Sequence, residues 1–312
     1  MNPYYKDYNE YITEIFPGMK VQKLSINAGF SCPNRDGTIG RGGCIYCDNT
    51  SFTPSYCFGC NTVKEQVEAG KLFFARKYPA MKFLAYFQSY TNTFVKRGNG
   101  VGVSSGVDSL ERLYRDALEQ EDVVGLIIGS RPDCFPEEVV EMLGRLNLEY
   151  PVFVELGAET SHNPTLELIN RGHTWEQTCD AVDRLTKGGI RCGLHLIFGL
   201  PGETEEMMLA TVERACRLPV DSLKLHHLQV IASTPLHEGY QSGKITVDPF
   251  SMDDYLELCV KIIGIVPRRI AIERFLASSP PEKVVAPKWG IKNYQFTNLL
   301  LNKLKEINSL NG

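Results

Sequence analysis

The chain has 312 residues, of which 43% are hydrophobic and 22% charged, a composition typical of a soluble globular protein with one large domain or two small ones. The formal net charge of −4 gives no global indication of nucleic-acid binding. No apolar run reaches the length of a signal-peptide core or a membrane span, so we expect a cytoplasmic protein with no membrane partner.

Residues 1–20 are aromatic and polar and predict a short N-terminal helix. From residue 21 on, apolar runs of strand length alternate with segments of helical periodicity. Strands are predicted at 21–29, 82–90, 122–130, 151–158, 190–200, 222–231 and 268–275. Helices are predicted at 62–78, 106–120, 136–146, 163–170, 174–187, 203–217, 252–266 and 291–307, and 232–250 is predicted to be a polar excursion.

The predicted strands are continuously apolar, which indicates a parallel sheet covered by helices. Six strand–helix repeats fit a curved, open (β/α)6 barrel, and on the pattern alone they also fit a flat, doubly wound sheet. In either arrangement, ligands gather at the carboxyl ends of the strands. We expect an N-terminal extension at 1–20, the sheet and its helices at 21–275, and a closing C-terminal segment at 276–312.

Ten cysteines in a chain expected in the cytoplasm favour metal or thiol chemistry over a disulfide framework. Three of them, Cys32, Cys44 and Cys47, follow the first predicted strand in the stretch CPNRDGTIGRGGCIYC. The glycine-rich loop between the first two can wrap closely around a bound group. Closed zinc sites and ordinary iron–sulfur clusters take four protein ligands, so three thiolates leave one coordination position open for chemistry.

Besides the cysteine loop, the chain contains the motifs YFQSYTNTF, GSRPDCFP, ELGAET, FGLPGET and APKW. In these motifs it resembles the radical S-adenosylmethionine (SAM) superfamily and, within it, the YhcC/YtqA-like family. It is more distantly similar to the radical SAM domain of the elongator catalytic subunit. The resemblance implies an α/β fold, a partial (β/α)6 TIM-like barrel with an N-terminal extension and a C-terminal helix that closes its open side.

The same resemblance implies two cofactors. Cys32, Cys44 and Cys47 would hold a 4Fe–4S cluster, and SAM would chelate the iron that no cysteine holds. An external one-electron reductant of the flavodoxin or ferredoxin type would reduce the cluster. The reduced cluster would cleave SAM to methionine and a 5′-deoxyadenosyl radical, which abstracts hydrogen from the substrate.

Several residues are implied as SAM contacts. Tyr46 precedes the last cysteine, and three polar residues follow the second predicted strand, where the superfamily holds the amino group of SAM: Gln88, Ser89 and Thr91. The chain has no GGE-type motif there, so these three residues also fit a hydrogen-bonded strand end.

Three later motifs supply the other implied contacts. Glu155 would lie near the ribose or amino group of SAM, and Gly199 and Leu200 against its adenine. Because an unpaired buried carboxylate is costly, Glu155 also fits an internal ion pair with Arg131 or His195. Arg131 itself would hold the SAM carboxylate or the substrate, or would form a salt bridge that fixes its loop.

Cys57 and Cys60 lie outside the family pattern. With Cys44 and Cys47 they form two CxxC pairs separated by nine residues, which resembles a two-knuckle zinc site with a short loop. That interpretation leaves Cys32 and the other motifs unexplained. The second pair also fits an auxiliary metal site or a solvated thiol pair.

The resemblance links the chain with modification of the wobble uridine side chain in tRNA, so we expect a radical SAM enzyme that acts on that nucleoside. A small-molecule metabolite is the alternative substrate. The alternative from another class is a non-catalytic, zinc-stabilised nucleic-acid-binding module. The sequence assigns no catalytic residue.

The C-terminal quarter is the predicted docking surface for tRNA. Residues 268–305 contain eight lysines or arginines and only two glutamates, so the segment carries a charge of +6 in a chain of net charge −4. Interleaved aromatic side chains are predicted to stack on unpaired bases, namely Phe275, Trp289, Tyr294 and Phe296. The alternative is a solvated basic face whose aromatic residues belong to the core.

Overall fold

The computed structural model describes residues 2–48, 53–75, 80–94 and 106–311. Most of its strands join one parallel sheet: β1 (Lys6–Asp7), β2 (Val21–Ile26), β3 (Lys82–Phe87), β4 (Val123–Ser130), β5 (Val152–Glu159), β6 (Arg191–Phe198), β7 (Ser222–His227) and β9 (Ala271–Arg274). Their order across the sheet is β1, β9, β7, β6, β5, β4, β3, β2. Neighbouring strands from β2 to β7 are consecutive in the chain, as repeated strand–helix units require.

The sheet curls into a half-barrel whose edge strands are β1 and β2. The expected partial barrel is therefore confirmed, and a flat doubly wound sheet is not what forms. The parallel sheet has eight strands because β9 follows β7 and because the two-residue strand β1 pairs with β9. Two residues are too few to produce a periodic signal, so the sequence did not predict β1.

The helices lie largely where the periodicity places them, and most of them cover the outer face of the sheet. They are α1 (Tyr8–Ile15), α2 (Val63–Ala75), α3 (Val107–Leu118), α4 (Glu137–Asn147), α5 (Asn163–Leu168), α6 (Trp175–Lys187), α7 (Glu205–Arg217), α8 (Pro235–Gln241), α9 (Met252–Ile265) and α10 (Asn293–Asn311). Side-chain caps fix several helix starts; Thr174 and Gln177, for example, form a reciprocal capping box at α6. In the described residues, no helix combines the length and the apolar character that a membrane crossing needs.

Strand alternation sorts the interior of the half-barrel into layers, because every second side chain of a strand points inward. At the amino ends of the strands the interior is apolar, and α1 packs into it; this layer contains Leu84, Ile127, Phe153, Tyr11, Ile12 and Phe16. One step further along the strands the interior becomes polar. At the carboxyl ends it opens into a cavity. The N-terminal extension thus fills the closed end of the barrel and leaves the carboxyl ends accessible.

The C-terminal helix α10 packs on α9 beside the last strand of the sheet. Its apolar stripe, Phe296, Leu300 and Leu304, is buried in the same core as Tyr255 and Phe275. This is the closing helix that the fold prediction included. The proposed division of the chain after residues 20 and 275 stays a prediction.

The predicted strand 222–231 is interrupted in the structure. It divides into β7 and a short strand β8 (Val230–Ile231), which pairs antiparallel with β10 (Val284–Ala286). The strand divides because its first part packs in the main core, whereas Leu228 and Val230 pack in a separate small apolar cluster. Helix α8 lies inside the predicted polar excursion, where the Thr234 hydroxyl caps it by accepting from the backbone N–H of His237.

Candidate active site

One cavity lies at the carboxyl ends of the parallel strands. Strands β3 to β7 and β9 contribute to its wall, and the cysteine loop after β2 covers one side. The lining residues include Cys32, Cys44, Cys47, Tyr46, Gln88, Thr91, Arg131, Glu155, Glu159, Arg171, His195, Ile197, His226 and Arg274. The residues that the sequence placed at strand ends are thus brought together from most of the sheet.

The three cysteines of the loop face this cavity together. Cys44 is buried, and Cys32 and Cys47 are half-buried. Gly42 and Gly43 have φ angles of +82° and +76°, which favour glycine and allow the turn that leads into Cys44. The loop is tied to the chain after β5, because the Asn170 amide donates to the carbonyl oxygen of Gly43 over 2.8 Å.

Donor groups surround the sulfur of Cys44. Arg171 Nη1 lies 3.6 Å and Asn34 Nδ2 4.0 Å from its Sγ atom. Burial raises the pKa of the Cys47 thiol to about 12, and the neighbouring Cys44 adds to this effect. A bound metal would displace these protons, and donors aimed at sulfur stabilise the resulting thiolate. The residues present therefore fit an iron–sulfur cluster on this loop.

The implied SAM contacts divide into two groups. Tyr46, Gln88 and Thr91 line the cavity. Ser89, Gly199 and Leu200 are not among its described lining residues. Ser89 is buried, with its hydroxyl 3.5 Å from that of Thr53, and Leu200 belongs to an apolar cluster. The roles of these six residues toward SAM stay predictions, as do those of Arg131 and Glu155, which also line the cavity.

Gly199 nevertheless has a conformational reason to be glycine. Its φ angle is +85°, and a Cβ atom there would lie 2.9 Å from the ring of Phe250. Ile197, two residues earlier, reaches the cavity instead. Backbone conformation and packing against Phe250 are thus sufficient to explain the glycine in the turn after β6.

Glu155 is the centre of a buried charge network, which we call the polar layer: Lys23, Tyr86, Glu155, His195, Lys224 and Glu273. The carboxylate of Glu155 accepts from Tyr86 Oη at 2.6 Å, His195 Nε2 at 2.7 Å and Lys224 Nζ at 3.1 Å, and it also pairs with Lys23. Glu273 bridges the same two lysines, at 2.6 Å from Lys23 and 3.2 Å from Lys224.

The pKa values in the polar layer follow from burial and pairing. Burial alone would raise the pKa of Glu155, but Lys224, Lys23 and His195 outweigh it and hold the pKa well below the usual range. Burial lowers the pKa of His195, and Lys224 lowers it further. The imidazole is therefore neutral, and its Nε2–H group donates a hydrogen bond to the charged carboxylate of Glu155. The contact expected between Glu155 and His195 forms as a hydrogen bond, and the ion pairs of Glu155 are made by Lys23 and Lys224 instead.

Arg131 is paired elsewhere. Its guanidinium binds both carboxylate oxygens of Asp133, at 2.9 and 2.8 Å, and donates to the carbonyl oxygen of Arg171 over 2.7 Å. All three residues lie at turns that follow strands of the sheet or the helix after β5. The salt bridge expected as the alternative for Arg131 therefore exists, and its side chain remains part of the cavity wall.

Sequence reasoning missed several residues that the structure brings to the site. Glu159 ends β5 with a φ of +67° and pairs with Arg171 at 3.2 Å. Lys224 lies between two buried leucines of β7, Lys23 lies in the more polar strand β2, and Arg274 ends β9. A lysine inside an apolar strand is a detectable signal, because it must face a polar interior or another charge. The shared partner Glu155 is 132 residues from Lys23 and 69 residues from Lys224, so the pairing is not visible in the sequence.

Cys57 and Cys60 line a second cavity, with Asn27, Gln66 and Arg112. The two CxxC pairs thus belong to different cavities. In the described residues, no three Cys, His, Asp or Glu side chains are grouped closely enough to hold one metal ion.

The basic C-terminal segment is largely occupied by internal contacts. Arg268 pairs with Glu10 at 3.3 Å, Lys283 pairs with Asp48 at 2.7 Å, and Lys303 pairs with Glu257. Lys288, Lys292 and Lys305 are exposed, and none of them forms an ion pair with another described residue.

The aromatic residues of this segment are mostly core. Phe275 and Phe296 are 1% and 0% exposed, so the prediction that they stack on bases is wrong. They are buried because α10 turns its apolar stripe toward α9. Trp289 stacks on His227, with ring centroids 4.2 Å apart, and donates to the carbonyl oxygen of Phe250. Tyr294 is 62% exposed and stays available to a ligand.

Two family profiles match the chain. The radical SAM superfamily matches residues 37–215, and the radical SAM C-terminal domain matches residues 220–306. The uncharacterized protein YtqA of Bacillus subtilis (strain 168) is 34% identical over 311 residues, which cover 99% of this chain and 92% of that protein.

More distant proteins are also similar. A tRNA uridine(34) acetyltransferase of Methanocaldococcus jannaschii is 29% identical over 70% of this chain and 39% of its own length. The solved structure of Methanocaldococcus infernus Elp3, with an N-terminal deletion, has a TM-score of 0.68 at 18% identity and covers 93% of this chain and 64% of that one. At this identity the structure shows the fold alone. The chain belongs to the radical SAM superfamily, within the YhcC/YtqA-like family, and is an enzyme that uses a 4Fe–4S cluster and SAM.

Proposed function

We propose that this enzyme modifies the wobble uridine side chain of tRNA and that Cys32, Cys44 and Cys47 hold its cluster. The observation that carries the substrate is the similarity, over 70% of the chain, to a tRNA uridine(34) acetyltransferase. The match covers only 39% of that relative, so we infer the same target nucleoside for this enzyme but not the acetyl transfer that the relative's name describes.

The cysteine loop and the cavity wall define the reaction space. When bound, the cluster and SAM supply the 5′-deoxyadenosyl radical that abstracts a hydrogen atom from the substrate. Tyr46, Gln88 and Thr91 line the same cavity as the cysteines and are proposed to hold SAM. Arg171 and Asn34 aim donors at the sulfur of Cys44, which would stabilise its thiolate when the cluster is bound.

Below this space, the protein's own groups exclude water. Helix α1 fills the amino end of the barrel with apolar side chains, and the polar layer above it is internally paired. Glu155 fixes the position of Tyr86 and His195, which line the cavity from beneath. A cavity closed from one end protects a reactive radical from solvent.

We place the tRNA contact on the exposed lysines of the C-terminal segment, Lys288 and Lys292, together with Tyr294. Trp289 anchors this segment to His227, beside the cavity residue His226. Radical SAM enzymes need an external electron source, and we propose a flavodoxin or ferredoxin for this one. A metabolite substrate stays the alternative that the experiment below tests.

The substrate is tested by mass spectrometry of tRNA nucleosides from cells with and without the gene. We expect one uridine derivative to change in the deletion strain and to be restored by the parent gene, but not by Cys44→Ala. Cys60→Ala is the matched control and should restore the nucleoside. Identical nucleoside profiles in both strains would remove tRNA as the substrate and favour a small molecule.

A further inference from the structure

Arg274 differs from the other buried cations around the cavity. It ends β9 and lines the same cavity as the cysteine loop. Its Nη2 atom donates to Nε2 of His226 over 3.3 Å, and its Nε atom is buried with no partner among the described residues. A guanidinium carries five N–H donors, so this side chain has donors to spare.

Every other buried cation of the cavity region has a carboxylate partner. Lys23 and Lys224 share Glu155 and Glu273. Arg131 pairs with Asp133 at 2.8 Å and Arg171 pairs with Glu159 at 3.2 Å. Arg35 also lines the cavity, but it is exposed to solvent.

Arg274 pairs with no carboxylate in the described part of the chain, because both nearby glutamates are already taken by lysines. Its only described contact is an imidazole, and burial with the neighbouring charge of Arg274 holds the pKa of His226 well below its usual range. His226 is therefore neutral and cannot compensate the guanidinium. A half-buried cation without a counter-charge is costly.

Other polar atoms near Arg274 are also unpartnered. A side pocket lined by Tyr46, Cys47, His226, Gln229 and Ser278 adjoins the main cavity, with which it shares the first three of these residues. Gln229 Oε1 and His227 Nδ1 are buried there with no partner among the described residues. Unsatisfied polar groups that gather at one end of a cavity indicate that a ligand completes them.

We propose that Arg274, with His226 beside it, forms a subsite for a phosphate group of the substrate. Its guanidinium binds two phosphate oxygens through paired N–H donors, and His226 holds the guanidinium in place. The identification of this phosphate as that of the target nucleotide rests on the proposed function. The subsite itself rests on the unpaired charge.

The test measures ligand binding to the cluster-loaded protein under anaerobic conditions, with SAM present at saturation. Uridine 5′-monophosphate and uridine are the probes, and isothermal titration calorimetry measures both. We expect the parent protein to bind the monophosphate at least about tenfold more tightly than uridine, as a charge-assisted bidentate contact provides.

Arg274→Gln should remove this preference, and Arg274→Lys, which keeps the charge, should retain part of it. Lys64→Gln, which removes an exposed lysine of α2, is the matched control and should leave the preference unchanged. Thermal unfolding of each variant shows whether it is folded. If Arg274→Gln does not fold, Arg274→Lys decides the test: a preference equal to the parent's would overturn the bidentate contact.

Two results would overturn the proposal. One is an equal affinity of the parent protein for uridine and its monophosphate. The other is a preference that persists in Arg274→Gln. In a separate titration without nucleotide, SAM should bind parent and variant within twofold. A tenfold loss of SAM affinity would assign Arg274 to the SAM carboxylate instead. The proposed function is tested independently by the tRNA nucleoside profile, so failure of the phosphate subsite can be distinguished from failure of the proposed function.

Discussion

The polar layer and the rim of the cavity above it contain similar side chains in opposite situations. In the polar layer, Lys23, Lys224, Glu155 and Glu273 satisfy one another at distances of about 3 Å or less. At the rim, formed by the cysteine loop, His226 and Arg274, the guanidinium has no carboxylate partner among the described residues.

This contrast separates the buried charges that the protein neutralises by itself from the buried charges that a ligand must neutralise. Buried charges in an internally satisfied network hold the fold in one arrangement. Buried groups left unsatisfied at a cavity indicate a binding site, since the protein bears their cost until a ligand arrives. We therefore expect substitutions in the polar layer to affect stability, and substitutions at the rim to affect ligands.

The largest stability effect is expected for Lys224→Met. This change leaves Glu155 and Glu273 with one lysine between them, so buried negative charge is uncompensated. We expect a loss of about 3 to 5 kcal/mol in the free energy of unfolding, measured with urea. Lys187→Met is the control, because Lys187 is 75% exposed in its pair with Asp183, and it should cause no measurable change. Equal effects of the two substitutions would show that the polar layer stabilises the fold no more than a surface ion pair does.

Glu155→Gln should have a smaller effect. The amide keeps the shape and an acceptor oxygen but loses the charge that Lys23 and Lys224 share, so we expect about 2 kcal/mol less stability. Because Tyr86, His195 and both lysines already occupy the carboxylate, SAM affinity should stay within about threefold of the parent value. A tenfold loss of SAM affinity in a folded variant would show instead that Glu155 contacts SAM, as the family resemblance implies.

The smallest effect is expected on the outer surface. Replacing Lys288 and Lys292 with Ala should weaken tRNA binding several-fold and reduce the slope of log affinity against log salt by up to about two, because each phosphate contact releases counterions. Lys303→Ala is the control, since Lys303 already pairs with Glu257. Superimposable salt series for all three proteins would place the tRNA contact elsewhere.

Sequence reasoning reached the fold because the fold depends on local patterns. Continuous apolar strands such as 122–130 predicted a parallel sheet, and the periodicity of 174–187 predicted α6 almost to the residue. It failed where the pattern is too short or is interrupted by packing, as for β1 and for the division between β7 and β8.

The site was predictable only in part for a different reason. The spacing of Cys32, Cys44 and Cys47 is local, so the loop was visible. The pairing of Glu155 with Lys23 and Lys224 joins distant strands and depends on the curl of the sheet, which no local pattern contains. The burial of Phe275 and Phe296 depends likewise on how α10 packs, so the sequence left open whether these rings face a nucleic acid or the core.

Cys32, Cys44 and Cys47 at the rim are proposed to hold the 4Fe–4S cluster on which the reaction depends. Iron and acid-labile sulfide should be measured in anaerobically reconstituted protein and in five single Cys→Ala variants, together with release of 5′-deoxyadenosine from SAM after reduction. We predict about four irons per chain in the parent protein and in the variants at Cys57 and Cys60. Changing Cys32, Cys44 or Cys47 should remove the iron and the product. Full turnover in the Cys32→Ala protein, or loss of bound metal on changing Cys57 or Cys60, would contradict the account and favour a zinc site shared by the two CxxC pairs.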